Sequence, residues 1–207
     1  MTPPPASDMP IILLAAGQSS RMRGADKLLE PVGGVPLLRR QALMARAVTR
    51  GPVIVALPPA PHPRHDVLSG MDVTRVEVEN AAEGMNASIR QAFARVPSTA
   101  RHAMLLLCDL PDLREEDLKI VMQDVDNNGE TLIWRGATHS GKGGHPIVFS
   151  RALFADIARL TGDGGARDIV AAAADRVRLV PLPDNRARAD LDTPEDWAAW
   201  RARQLED

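Results

Sequence analysis

The chain contains no tyrosine, and aromatic residues make up only 3% of its 207 positions. Few rings are available to stack on unpaired bases, which disfavours a single-strand nucleic-acid binder. Neither sign of charge dominates: 25 Lys and Arg stand against 27 Asp and Glu, interspersed, for a formal net charge of -2. The basic footprint of a nucleic-acid-binding protein is therefore missing. A single cysteine, Cys108, excludes a disulfide framework within the chain and suits a reducing cytosol, so the expected location is cytoplasmic. Apolar runs are short. Pro10–Ala16 and Ala103–Cys108 are strand-sized and far below the length that spans a bilayer, so no membrane association is expected. The opening MTPPPASDMP lacks the basic region and long apolar stretch of a secretory signal. Apolar residues nevertheless reach 44%, enough for a globular chain with a full core.

Residues 1–8 are Pro-rich and read as a disordered tail, with 9–207 as one domain. MPIILLAAG is a continuous apolar run ending in Gly17, the pattern of a strand buried on both faces. Pro36–Thr49 has helical spacing and is stopped by Gly51-Pro52. Pro52–Leu57 and Val73–Val78 read as strands, and Asn86–Val96 as a helix capped by Asn86. Ala103–Cys108 is a strand ending at Asp109, and Arg114–Val125 a helix with Asp112 as its cap. Glu130–Trp134 and Pro146–Phe149 read as strands around the Gly-rich GATHSGKGG. Helices are expected over Ser150–Leu160 and Ala166–Ala174, and strands over Val177–Pro181 and Ala187–Leu191. A last helix, Thr193–Gln204, has Thr193 as N-cap and Glu195 and Asp196 in its first turn, where the dipole favours carboxylates. This alternation predicts an α/β fold, a mainly parallel sheet covered on both faces. Ligands in such sheets sit beyond the carboxyl ends of strands, here just after Ala15, Met85 and Cys108.

The strongest chemical signal is LLAAGQSSRMRGADKLLEPVGGVPLL, Leu13 to Leu38. A buried strand delivers a turn of small residues, Ala15-Ala16-Gly17, whose backbone amides a phosphate or base can approach closely. Arg21 and Lys27 follow in one loop and could clamp a triphosphate, Arg as a fork and Lys as a point charge. Standing alone, such a loop could equally be a solvated surface loop. It is neither GxGxxG nor GxxxxGK[ST], which disfavours Rossmann dinucleotide binding and a P-loop. His62 and His65 lie in a Pro-rich loop without partner cysteines or ligand spacing, which argues against zinc.

The first segment resembles the N-terminal signature of the molybdenum cofactor nucleotidyltransferases, the molybdopterin cytidylyl- and guanylyltransferases. Their wider family includes sugar-phosphate and methylerythritol-phosphate nucleotidyltransferases. AEGMNASI, LLLCDLPDL, GGHPIVF with GDGGARD, and DLDTPEDW follow in the same order, so the resemblance covers nearly the whole chain. It implies a Rossmann-like three-layer sandwich of the nucleotide-diphospho-sugar transferase type. It places Leu14, Ala15, Ala16, Gly17, Arg21, Lys27, Gly84, Met85 and Ser88 around the nucleotide, the last three at the base. It makes Asp109 and Asp192 the ligands of Mg²⁺, with Asp190 a weaker candidate, and Arg21, Lys27 and Asp109 the catalytic residues. His145 and Arg167 fall on the acceptor side.

The reaction implied is attack by the phosphate of molybdopterin on the α-phosphorus of a nucleoside triphosphate, releasing pyrophosphate. A phosphate with a second pKa of about 6 is already ionised near neutral pH, so no general base is required. The turn Leu14-Ala15-Ala16-Gly17 resembles the cytidylyl branch, as does GGHPIVF, whereas the spacing of RMRGADK resembles the guanylyl branch. CTP is the expected donor, with GTP the alternative. Other readings are a sugar- or alditol-phosphate nucleotidyltransferase and a non-catalytic maturation factor for a molybdenum hydroxylase, whose apoenzyme is a possible partner. A scaffold would have no need of Arg21, Lys27, Asp109 and Asp192 together.

Overall fold

Continuous apolar sequence puts three strands at the centre of the molecule. In the computed structural model, which describes residues 7–80 and 83–205, the first strand is β1 (Ile11–Leu14), buried at every position. Two β-strands, β2 (Pro31–Val32) and β3 (Val35–Pro36), form a small separate hairpin. Its turn is Gly33-Gly34, both at positive φ, the backbone that a two-residue hairpin turn demands. Helix α1 (Leu37–Val48) leads to β4 (Val53–Leu57), then the short α2 (Pro63–Asp66) and β5 (Thr74–Glu77). Helix α3 (Met85–Phe93), β6 (His102–Leu107) and α4 (Glu115–Asp124) follow. The remainder is β7 (Ile133–Ala137), β8 (Gly143–Ser150), α5 (Phe154–Ile157), α6 (Arg167–Ala172), β9 (Val177–Pro181) and α7 (Pro194–Gln204).

Seven strands make one sheet in the order β5-β4-β1-β6-β8-β7-β9. Strand β1 pairs in parallel with both β4 and β6, matching Ile11 with Val53 and with Met104. Only β8 runs against its neighbours. The chain builds outward from β1 to β4 and β5, then returns to lay β6 on the other side of β1. The carboxyl ends of β1 and β6 thus flank a topological switch point, where ligands bind in open α/β sheets. Side chains from alternate strand positions build two cores. Leu13, Ala15, Met104 and Leu106 face α1, α4 and α7; Ile12, Leu14, Ala103 and Leu105 face α3, α5 and α6. The three-layer α/β sandwich expected from the sequence is therefore present. Among the described residues no helix is long and apolar enough to cross a membrane.

Local differences have physical causes. Residues 1–6 of the expected tail lie outside the described residues. Ser7 and Asp8 do not: Ser7 bridges to Thr49, and its carbonyl accepts from the Arg50 N–H and the Thr49 hydroxyl. Asn86 is not the cap of α3. Gly84 takes that place, at φ 102, and Asn86 is buried, donating through Nδ2 to the Thr161 carbonyl at 2.7 Å. Asp112 does not cap α4, because its carboxylate accepts from Trp200 Nε1 at 2.7 Å; Arg114 caps the helix and Asp117 closes its capping box. Ala187–Leu191 is not a strand. The 3-10 turn Arg186–Arg188 carries it across the end of the sheet, where the Leu191 N–H donates to the Asp109 carbonyl at 3.0 Å. That crossing brings the DLDTPEDW segment beside β6. The helix expected over Ser150–Leu160 is a 3-10 turn, Arg151–Leu153, followed by the single turn of α5.

Candidate active site

The loop after β1 holds only a single 3-10 turn, Ser20–Met22, so much of its backbone needs other partners. Arg64, at the start of α2, supplies them from a position only 1% exposed. Its Nη1 donates to the carbonyls of Ala15 at 2.6 Å and Gly17 at 2.7 Å. Its Nε and Nη2 fork onto the two oxygens of Asp26 at 2.7 Å each, and Nη2 also reaches Ser19 Oγ at 3.1 Å. Such a bidentate fork fixes orientation as well as charge. Burial alone would raise the Asp26 pKa, but the Arg64 hydrogen bonds and charge outweigh it and hold the carboxyl below its ordinary value.

Lys27 joins three distant segments. Its Nζ lies 2.6 Å from Asp109 Oδ2 and 2.7 Å from Asp192 Oδ1, across sequence separations of 82 and 165 residues. Burial opposes the ammonium charge, yet the Asp109 and Asp192 carboxylates hold its pKa above the ordinary value. Arg21 pairs with the other oxygen of Asp192 at 2.8 Å while remaining largely exposed. Asp109 is carried to the sheet end by β6, and Gln41 on α1 steadies the following turn by donating to the Leu110 carbonyl at 2.9 Å. Asp192 is aimed by the cap of α7. Thr193 Oγ1 accepts from the Asp196 N–H, and Asp196 Oδ2 accepts from the N–H groups of Thr193 and Asp192. Asp109 Oδ1 is buried without a hydrogen-bond partner.

That orphaned oxygen, two convergent carboxylates and a hard-oxygen donor set fit a divalent cation held by Asp109 and Asp192. Among the described residues no group of three or more His, Cys, Asp or Glu gathers to hold a metal. The set present suits Mg²⁺, which takes one or two carboxylates and completes its shell with phosphate and water. Asp190 is paired with neither Lys27 nor Arg21; burial and the neighbouring Asp109 charge raise its pKa.

A cavity of about 460 Å³ opens at the switch point, lined by Leu14, Ala16, Gly17, Lys27, Gly84, Met85, Ser88 and Asp109 among others. Seven of the nine residues expected from the sequence around the nucleotide thus line it, together with the expected metal ligand Asp109; Arg21 does not. Ala15 does not line it. Strand alternation turns its side chain to the opposite core, its N–H donates to the Ala56 carbonyl, and its carbonyl is held by Arg64. Gln18 and Asp163 also line the cavity. Asp163 Oδ1 accepts the Met85 N–H at 2.7 Å, and a Cβ on Gly84 would meet that oxygen at 2.6 Å. Glycine at 84 therefore serves both the positive φ and the close approach of Asp163. Cys108 is buried beside Asp109, and burial pushes its thiol well above the ordinary range, so it is inert.

A second cavity, about 820 Å³, adjoins the first and shares Leu14, Met85, Leu107 and Asp163 with it. His145 and Arg167 line this one rather than the first. Burial pushes the His145 pKa down to about 4, so the ring is neutral at physiological pH, with Nδ1 3.4 Å from the Leu105 carbonyl. Sequence reasoning missed Arg64, whose role depends on a loop carbonyl array that no motif encodes, and it missed Asp163 as a cavity-lining residue. The GDGGARD motif, of which Asp163 is the second residue, was the available signal for the latter.

Residues 11–177 match the family model described as MobA-like NTP transferase domain. A probable molybdenum cofactor guanylyltransferase from Nostoc sp. is 31% identical over 194 residues, covering 93% of this chain and 90% of that one. The crystal structure of Rv0371c from Mycobacterium tuberculosis H37Rv superposes with a TM-score of 0.80 at 30% identity, covering 98% of this chain and 100% of that chain. A manganese complex of the same mycobacterial protein superposes with a TM-score of 0.75 at 27% identity, over 93% and 97% of the two chains. The chain belongs to the MobA-like NTP transferase domain family, the molybdenum cofactor nucleotidyltransferases that its motifs resemble.

Proposed function

We propose that the protein transfers CMP from CTP to the phosphate of molybdopterin and releases pyrophosphate. The observation that carries the nucleotidyl transfer is the convergence of Lys27, Asp109 and Asp192 at the nucleotide cavity. Arg21 and Lys27 are the cations that neutralise the departing pyrophosphate, and removing either is expected to cost about 2–4 kcal/mol of transition-state stabilisation. Mg²⁺ held by Asp109 and Asp192 would add charge neutralisation on the phosphates. The backbone of Leu14, Ala16 and Gly17, with Gly84 and the first turn of α3 through Ser88, reads the base. His145, neutral at working pH, and Arg167 orient the acceptor from the adjoining cavity. The acceptor phosphate is its own ionised nucleophile, and catalysis is positioning plus charge neutralisation. A cytoplasmic setting suits the reduced Cys108, and a molybdenum hydroxylase apoenzyme is the partner that would receive the product.

The Ala16 methyl, in the wall of the nucleotide cavity, favours the smaller base. A second reading, GTP as donor, is favoured by the name of the Nostoc relative, a probable guanylyltransferase. A pocket that only admits a smaller base discriminates by about 1–3 kcal/mol. Competition kinetics with both nucleotides, on the wild type and on Ala16→Gly, test the choice. CTP should win in the wild type and lose ground in the variant. A wild-type preference for GTP overturns the cytidylyl reading while leaving nucleotidyl transfer intact.

A further inference from the structure

The larger cavity holds three guanidinium groups that the reaction outlined above does not account for together. Arg135, from β7, and Arg188, from the turn before DLDTPEDW, line it with Arg167 at the start of α6. Among the described residues none of the three has a carboxylate within ion-pair distance, whereas Arg21, Arg64, Arg186 and Arg201 each do. Two carboxylates, Asp163 and Asp190, line the same cavity but pair with none of the three, so the guanidiniums repel one another and something else must hold the side chains.

The GG of GGHPIVF is what holds two of them. Arg135 Nε donates to the Gly144 carbonyl at 2.9 Å, and Arg188 Nη1 donates to the Gly143 carbonyl at 3.1 Å. A Cβ on Gly143 would meet Cδ, Nε and Cζ of Arg135 at 3.0–3.2 Å. A Cβ on Gly144 would meet the Ala187 carbonyl oxygen at 2.0 Å and Arg188 Cγ at 2.7 Å. The two glycines thus form a bare backbone platform on which the guanidiniums lie. Each arginine spends one N–H group on that platform and has no other protein acceptor within hydrogen-bond distance among the described residues. Planar forks with free donors, aimed into a cleft, match the oxygens of a phosphate-class anion.

We propose that Arg135 and Arg188, seated on Gly143-Gly144, form with Arg167 a binding site for a phosphate-class oxyanion of the acceptor. The identity of the ligand as the acceptor rests on the transfer reaction proposed above; the anion site itself does not. The cavity adjoins the nucleotide cavity through Leu14, Met85, Leu107 and Asp163, so an anion there lies on the acceptor side of the transfer. Burial, with the Arg188 and Arg167 charges, lowers the Arg135 pKa, in keeping with mutual proximity of the three groups.

The test is calorimetric titration of the full chain with inorganic phosphate, alongside CTP and GTP binding on the same proteins. Arg135→Gln, Arg188→Gln and Arg167→Ala are compared with wild type. Arg188 and Arg167 are exposed, so their variants should fold even if Arg135→Gln does not. Each variant is expected to weaken phosphate binding at least tenfold and leave nucleotide binding within twofold. Unchanged phosphate affinity in Arg188→Gln and Arg167→Ala would overturn the site. So would a parallel loss of nucleotide affinity, which would put these arginines at the donor instead. With molybdopterin as acceptor, the same variants should raise its KM at least tenfold while sparing the KM for nucleotide. A wild type that binds phosphate through these arginines yet never converts molybdopterin would refute the acceptor reaction and leave the anion site standing.

Discussion

Replacing Arg64 with Met should loosen the loop after β1 without substituting any residue proposed to touch the nucleotide. Arg64 makes five hydrogen bonds: two to Asp26, one to Ser19, and one each to the carbonyls of Ala15 and Gly17. Its side chain is 2% exposed and that of Asp26 19%. Methionine fills much of the volume but leaves a partly buried carboxylate without its counter-charge, held only by the Leu28 N–H and the Ser19 hydroxyl, and two carbonyls without the guanidinium donor. Breaking one side of a buried ion pair costs roughly 3–5 kcal/mol, mostly the penalty of the stranded charge. For a chain of this size that is a fall in Tm of about 6–20 °C. Asp26→Asn in the same background removes the stranded charge. The double variant should therefore be more stable than the two single losses summed, with a coupling of about 1.5–3 kcal/mol. Linkage gives a second readout. The Asp26 pKa is depressed in the folded state, so its contribution is full above its unfolded pKa of about 4 and lost as pH falls through the lower folded value. Wild type should lose stability there, and Asp26→Asn should lose less. On the nucleotide side, displacing the turn by about 1 Å is enough to cost on the order of 10²-fold. Urea unfolding and initial-rate kinetics measure both effects. Strictly additive single variants, or an Arg64→Met protein with wild-type stability and KM, would refute the reasoning.

Three further outcomes are expected. Gly84→Ala places a methyl at a positive-φ position and against Asp163 Oδ1, so nucleotide affinity should fall about tenfold or more with little change in acceptor KM, as read by equilibrium binding. Burial depresses the His145 pKa to about 4 from 6.5, so the unfolded chain binds more protons between those values and stability should rise with pH across that window. The span is on the order of 3 kcal/mol, less whatever solvent screens at the ring edge, and a His145→Asn protein should lack it in pH-dependent unfolding. Asp109→Asn should fold as wild type by circular dichroism and nearly abolish turnover; retained wild-type activity would remove Asp109 from the metal and the chemistry.

The parts of this molecule legible in sequence are those where one local pattern had one structural solution. IILL and VIVAL are apolar at every position, and they became the buried parallel strands β1 and β4. Thr193 followed by Asp196 became a capping box at the start of α7. Gly17, Lys27, Gly84 and Asp109 sit in motifs, and the sheet brought them to one cavity. What stayed hidden depended on contacts between distant segments. Asn86 had the chemistry of an N-cap, but burial against Thr161 gave its side chain another partner. Ala187–Leu191 had strand composition, but β9 already occupies the edge of the sheet beside β7. Arg64 sits in PHPRHD with no motif to mark it, and only the folded loop shows the carbonyls it serves. The paired glycines of GGHPIVF read as loop residues, whereas they lie in β8 beneath two arginines.

The most direct test of the proposed reaction is pyrophosphate release. The purified chain is incubated with Mg²⁺, molybdopterin and each nucleoside triphosphate in turn, and the same mixtures are run without acceptor and with Asp109→Asn. The expected result is acceptor-dependent pyrophosphate, matched mole for mole by a molybdopterin dinucleotide, fastest with CTP and lost in the variant. Pyrophosphate that appears equally without molybdopterin, or none with any of the nucleotides, would contradict the transfer reaction.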